Sequence, residues 1–188
     1  MNHISWNVTK RCNLFCDHCY RDSGPYTNTN TELSTEEGKK LVREIKKAGL
    51  NIIVFSGGEP LLRGDIYELI EYTSSLGITS FMGSNGTLIN QEVAKHLKEI
   101  GLDAIAISLD SLTPKVHDQF RKVEGSYYKA VQGIQYCVEA GLRVQVNPTI
   151  TKQNHREVLD IIEKASSLGA SSCHFLFLVA IGRGKKCH

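Results

Sequence analysis

The feature that most restricts how this chain can fold is a junction that recurs along it. A helical stretch ends, a glycine follows, and an apolar run begins. The glycines are Gly49, Gly77, Gly101, Gly141 and Gly169, at intervals of 28, 24, 40 and 28 residues. Glycine suits this place because a helix C-terminus often needs one residue at positive φ. The intervals are about the length of a βα unit. Ser34 and Glu37 form a capping box that opens a first helix, with Leu41, Val42, Ile45 and Ala48 on one face. Further helices are predicted over 64–76, 88–100, 126–140 and 153–168, and the long interval has room for a short one near 113–120. Strands are predicted at 50–55, 78–82, 103–109, 142–149 and 173–179, preceded by Ile4 to Val8.

Six strands alternating with helices imply an α/β fold with a parallel sheet and helices outside. A doubly wound open sheet and a partial βα barrel both satisfy that pattern. In either, ligands bind at the carboxyl ends of the strands. The unusual residues fall at those ends. Cysteines follow strand one, and Ser56-Gly57-Gly58-Glu59-Pro60 follows strand two. Ser84-Asn85-Gly86-Thr87 follows strand three, and Ser108-Leu109-Asp110-Ser111 ends strand four. Asn147-Pro148 lies in strand five, and strand six runs into Gly182-Arg183-Gly184. One rim thus gathers the chemistry of distant segments.

At 188 residues and 41% hydrophobic, the chain fits one domain with a core of ordinary size. Lys and Arg number 22 against 20 for Asp and Glu, a net charge of +2. That balance gives no argument for nucleic acid or an anionic membrane as partner. The first residues show no basic, apolar leader, and the longest apolar run, Phe175 to Ile181, is too short to span a bilayer. A cytoplasmic protein is expected. Of six cysteines, three sit within eight residues and Cys137, Cys173 and Cys187 are scattered singly, a spacing unlike a disulfide framework. Cys137 and Cys173 read as small buried apolar residues.

Cys12, Cys16 and Cys19 are the candidate metal ligands. Thiolates suit zinc or iron–sulfur clusters. A closed structural site normally takes four protein ligands, and three are offered here at close range. His18 adjoins Cys19, which makes joint ligation sterically awkward. A [4Fe–4S] cluster on three thiolates keeps one iron open, as a catalytic site does. A structural zinc knuckle is the competing reading. A ferredoxin-like carrier would normally have four cysteines.

Cys12-x3-Cys16-x2-Cys19 followed by Gly57-Gly58-Glu59-Pro60 resembles the radical S-adenosylmethionine (SAM) superfamily, in the right order and after the expected strands. The resemblance covers essentially the whole chain. It implies a partial (β/α)6 TIM-like barrel of six parallel strands, as one core domain over 1–188. It implies that Cys12, Cys16 and Cys19 bind three irons of a [4Fe–4S] cluster and that SAM chelates the fourth. His18 matches an aromatic position near the adenine, and Gly57, Gly58, Glu59 and Pro60 would line the methionyl amine. Ser108 and Arg121 resemble a pair that grips the SAM carboxylate. Asn85 and Asp110 would touch the ribose or the active site, and Val179 and Ile181 would pack on the adenine. The residue chemistry is compatible: paired glycines permit close backbone approach, and Arg121 can fork onto a carboxylate.

The implied activity is reductive cleavage of SAM to a 5′-deoxyadenosyl radical that abstracts hydrogen from a small-molecule or peptide substrate. The electron would come from a donor such as flavodoxin or ferredoxin. The stretches Trp6 to Leu14, Asp17 to Asp22, Phe177-Leu178-Val179 and Gly182 to Lys185 are similar to members that remodel tetrapyrrole side chains in haem and haem d1 synthesis. Enzymes of PQQ and ribosomal-peptide maturation share much of the pattern. Such relatives usually continue into a further domain with auxiliary clusters, so a last helix and C-terminal domain are expected to be missing here. Cys187 would be the first ligand of such a cluster or would have no role. A truncated, non-catalytic Fe–S/SAM-binding module is the alternative function.

Overall fold

Strand and helix alternate because apolar β-branched runs alternate with amphipathic stretches closed by glycine. The computed structural model describes residues 3–186, and Cys187 lies outside them. The main strands are β1 (Ile4–Thr9), β2 (Ile52–Gly57), β3 (Thr79–Ser84), β4 (Ala104–Ile107) and β5 (Arg143–Val146). The helices are α1 (Thr35–Lys47), α2 (Ile66–Ser75), α3 (Gln91–Glu99), α4 (Pro114–Arg121), α5 (Ser126–Glu139) and α6 (Val158–Ser167). Three two-residue strands complete the count: β6 (Thr149–Ile150), β7 (Ser172–Cys173) and β8 (Leu176–Phe177). All five junction glycines have φ between +65° and +89°, the conformation their helix ends require.

The six-stranded sheet runs β1-β2-β3-β4-β5-β7, every pair parallel. Neighbours in space are neighbours in sequence. A doubly wound sheet would reverse its order at a switch point, and this one never does. The partial barrel is therefore the architecture. Ile53, Phe55, Met82, Ile105, Ile107, Val144 and Val146 are buried along the strands. Val42, Ile45, Leu69, Ile70, Leu97, Ile134 and Ala165 come from the helices packed on them. Among the described residues no helix is long and apolar enough to cross a membrane.

The predicted strands 142–149 and 173–179 each split in two. Pro148 has no N–H to give to a ladder, and β4 has already ended at Ile107, so β6 loses its neighbour on that side. The far ladder runs on: Ser171, His174, Leu176 and Leu178 donate in turn to the carbonyls of Val144, Val146, Pro148 and Ile150. β6 and β8 thereby pair as a small sheet that extends the rim. The predicted helix 153–168 begins as a short 3-10 turn, His155–Glu157, before α6. In α1 the capping box forms as predicted, but Ala48 is exposed and Gly38 takes a place in the buried stripe. A Cβ on Gly38 would lie 2.8 Å from the Trp6 ring.

Candidate active site

The loop after β1 carries the cysteines. Cys12 and Cys16 are buried and Cys19 is partly so. The loop is tied at several points. Cys12 N–H donates to Gly24 O at 3.2 Å, Cys19 N–H to Cys16 O at 3.3 Å, and Asp17 N–H to Phe120 O at 3.1 Å. Arg183, on the 3-10 turn Gly182–Lys186, clamps it from outside. Its Nε donates to Cys16 O at 2.8 Å and its Nη2 to Ser23 O at 2.7 Å, and its guanidinium lies 3.9 Å from the Phe15 ring centroid. Sequence reasoning assigned Arg183 no role of its own; its place in Gly182-Arg183-Gly184 on the rim was the available signal, and a Cβ on Gly182 would lie 2.5 Å from Cys19 O.

Burial pushes the Cys12 thiol up to about 11 and raises that of Cys16, which Arg121 partly offsets. Donors face both sulfurs: Leu14 N–H at 3.5 Å and Asn85 Nδ2 at 3.8 Å from Cys12 Sγ, and Arg121 Nη1 at 3.9 Å from Cys16 Sγ.

Gly57 and Gly58 make a close approach, and it is to the chain's own backbone. A Cβ on Gly57 would lie 2.3 Å from Thr9 O, and one on Gly58 2.1 Å from Arg11 O. Their absence lets Gly58 N–H reach Thr9 O at 2.7 Å and Glu59 N–H reach Arg11 O at 2.9 Å. The glycine loop is thereby sewn onto the exit of β1. Glu59 is fully buried. Its carboxylate accepts from Ser84 Oγ at 3.0 Å, Asn85 N–H at 2.8 Å and Leu61 N–H at 3.3 Å. Burial lifts its carboxyl to about 7 against the pull of those donors. Pro60 is buried at the start of a 3-10 turn.

Across the rim, Asp110 and Arg121 form a buried pair, Nε to Oδ2 at 2.6 Å. Asp110 Oδ1 accepts from Thr149 N–H at 2.9 Å. His117 Nδ1 accepts the Asp110 N–H at 3.2 Å. Burial alone would raise the Asp110 carboxyl, but Arg121 holds it below the usual range. His18 stacks on Phe120 with centroids 4.0 Å apart and planes 16° apart. Burial, helped by the charge of Arg121, pushes His18 down to about 3, so it stays neutral.

One cavity of about 460 Å³ collects most of these groups. Cys12, Cys16, Cys19, His18, Gly57, Gly58, Asn85, Ser108, Arg121, Val179 and Ile181 all line it. Glu59, Pro60 and Asp110 do not: Glu59 and Asp110 hold the lining residues from behind. Asn85 is fixed in a triangle with Asn13 and Thr87, its Nδ2 donating to Asn13 Oδ1 at 2.9 Å. The cavity wall also includes Tyr20, Ser23, Ser56, Asn147 and Thr149, which sequence reasoning had not singled out as ligand contacts. All but Tyr20 and Ser23 stand at strand ends, the signal that would have found them.

Three soft thiol donors on one cavity wall are chemically compatible with a cluster that keeps an open position. The three thiols share a wall with His18 Nδ1 and Ser23 Oγ, buried atoms left without a partner. Among the described residues no group of three or more His, Cys, Asp or Glu side chains is already arranged to hold a metal ion; Cys12, Cys16 and Cys19 are brought together as lining of one cavity. The arrangement can therefore present soft ligands to a multi-metal group and polar backbone to a molecule beside it.

The chain is 39% identical over 182 residues to an AdoMet-dependent heme synthase of Oleidesulfovibrio alaskensis, covering 96% of this chain and 46% of that one. It is 41% identical over 183 residues to an Fe-coproporphyrin III synthase of Methanosarcina barkeri, covering 97% and 45%. The chain thus spans about half the length of these relatives. Its fold matches Streptococcus suis SuiB bound to S-adenosylmethionine with a TM-score of 0.87 at 18% identity, over 99% of this chain and 43% of SuiB. The family model described as the radical SAM superfamily matches residues 6–165, and the chain belongs to that superfamily.

Proposed function

We propose that this chain is the core of an enzyme that cleaves SAM reductively and removes hydrogen from a tetrapyrrole side chain. The observation that carries the reading is the convergence of three thiols, two side-chain-free glycines and Arg121 on one cavity. The relatives named for haem and coproporphyrin synthesis support the substrate class. Once bound, a [4Fe–4S] cluster with SAM supplies one-electron chemistry and a 5′-deoxyadenosyl radical.

This chain's own residues bind, orient and exclude water. Cys12, Cys16 and Cys19 would hold three irons, and the N–H donors at the sulfurs of Cys12 and Cys16 favour their thiolate forms. Ser108 and Arg121 receive the SAM carboxylate, and Asp110 is a positioning residue that aims Arg121. Glu59 fixes the glycine loop against β3, so that backbone at Gly57 and Gly58 faces the methionyl group. Asn85 meets the ribose, while His18, Val179 and Ile181 flank the adenine and keep water out. A small redox protein such as flavodoxin or ferredoxin delivers the electron. Closely spaced free thiols suit the reducing cytoplasm. Anaerobically reconstituted chain given SAM and dithionite should release 5′-deoxyadenosine. SAM bound but never cleaved would instead identify a non-catalytic binding module.

A further inference from the structure

A second, larger depression of about 1020 Å³ opens beside the cysteine cavity. The two share a wall. Phe177 and Leu178 line both, and Phe120 faces the groove while stacking on His18 of the cavity. The groove is at the upper end of the sizes that hold a small molecule. Its apolar side is formed by Phe120, Ile150, Leu178 and Phe177, the last 76% exposed despite its size. With Phe120, Ile150 and Leu178 beside it, exposed Phe177 belongs to a contiguous apolar patch, the kind of surface that takes a ligand or partner.

On the polar side Lys122 and Lys152 stand against one acid, Asp17, which already pairs with Lys122 at 2.8 Å. Among the described residues no carboxylate pairs with Lys152. The loop that carries it is held in place. Buried Asn154 accepts Thr151 N–H at 2.7 Å and donates to Asp110 O at 2.6 Å and Thr149 O at 2.8 Å. His155 Nδ1 lies 2.9 Å from Lys152 O. The network that aims Arg121 into the cavity therefore also sets the loop that brings Lys152 to the groove.

We propose that this groove seats the substrate, a flat apolar ring bearing carboxylates, with Phe177 and Ile150 against the ring and Lys152 and Lys122 on the carboxylates. This deepens the tetrapyrrole reading above and rests on it for the ring. Lys152, with no carboxylate partner among the described residues, calls for an acidic group on the ligand, which an uncharged peptide would lack. Lys152 is the stronger partner, because Lys122 must first give up Asp17.

The test is a titration of the reconstituted chain with coproporphyrin III and with its methyl ester, followed by porphyrin fluorescence. The acid should bind more tightly than the ester, and added salt should weaken the acid alone, as for exposed charges. Lys152→Gln should weaken the acid about fivefold, the size of one exposed ion pair, and leave the ester unchanged. Phe177→Ala should weaken both. Equal affinity for acid and ester, indifference of the acid to Lys152→Gln, or preference for an uncharged peptide would overturn the assignment. SAM cleavage by the unmodified chain is scored separately. Binding that depends on Lys152 without cleavage would keep the groove and remove the enzymatic reading; cleavage with binding indifferent to Lys152 would do the reverse.

Discussion

Glu59 and Asp110 are two buried carboxylates at strand ends on the same rim, and the fold treats them in opposite ways. Glu59 is surrounded by neutral donors, the Ser84 hydroxyl and the amides of Leu61 and Asn85, and its carboxyl rises to about 7. Asp110 has an amide from Thr149 as well, but it also has Arg121 at 2.6 Å, and its carboxyl stays low. At Glu59 the neutral donors do not offset complete burial, whereas at Asp110 the charge of Arg121 does. The two sides of the cavity consequently carry different loads. The Glu59 side fixes backbone, where a neutral acid costs little. The Asp110 side holds a guanidinium beside a cysteine sulfur, where the counter-charge is indispensable.

The largest effect should come from removing that counter-charge. Arg121→Met leaves Asp110 buried and unpaired, and chemical denaturation should register a loss of about 3–5 kcal/mol. Adding Asp110→Asn should recover part of it. A loss well under ~1 kcal/mol would mean that the two carboxylates are not held differently.

Titration sharpens the same contrast. Glu59 keeps its proton in the folded chain after the unfolded chain has lost it. Its stabilising contribution is therefore complete below the unfolded value near 4.5 and fades as pH rises through about 7. The stability difference between the natural chain and Glu59→Gln should fall by up to about 3 kcal/mol across that window, at 1.36 kcal/mol for each pKa unit. Asp110 has the opposite sign: its contribution is present above the ordinary aspartate range and is lost on acidification. Denaturation curves of Glu59→Gln and Asp110→Asn over pH should slope in opposite directions relative to the natural chain. Parallel slopes would break the comparison.

Arg183 is the mirror image of Glu59, a charge held by neutral partners, here the carbonyls of Cys16 and Ser23. Arg183→Gln leaves no opposite charge behind, so its cost should be smaller, about 1–2 kcal/mol by denaturation. A cost as large as that of Arg121→Met would show that counter-charge is not what separates the two sides.

Much of this was legible in the sequence. The junction glycines and periodic helices located the βα units within a few residues, because each depends on local backbone preference. The cysteine triad and the glycine pair were legible as motifs. Their partners were less so. Glu59 read as facing a ligand, yet it faces Ser84, since which way a strand-end side chain turns depends on the neighbouring strand. Asp110 and Arg121 are 11 residues apart in sequence and meet only because α4 folds back over the end of β4. The choice between doubly wound sheet and barrel also lay beyond periodicity, because strand order is a property of the assembled sheet.

The central claim is that three thiolates and an open position define this site. The direct measurement is iron and sulfide content after anaerobic reconstitution, with the reduced cluster followed by EPR as SAM is added. About four irons per chain are expected, with a signal that SAM shifts and loss of the cluster in Cys12→Ala, Cys16→Ala or Cys19→Ala. Zinc in place of iron, or a cluster signal indifferent to SAM, would contradict that claim.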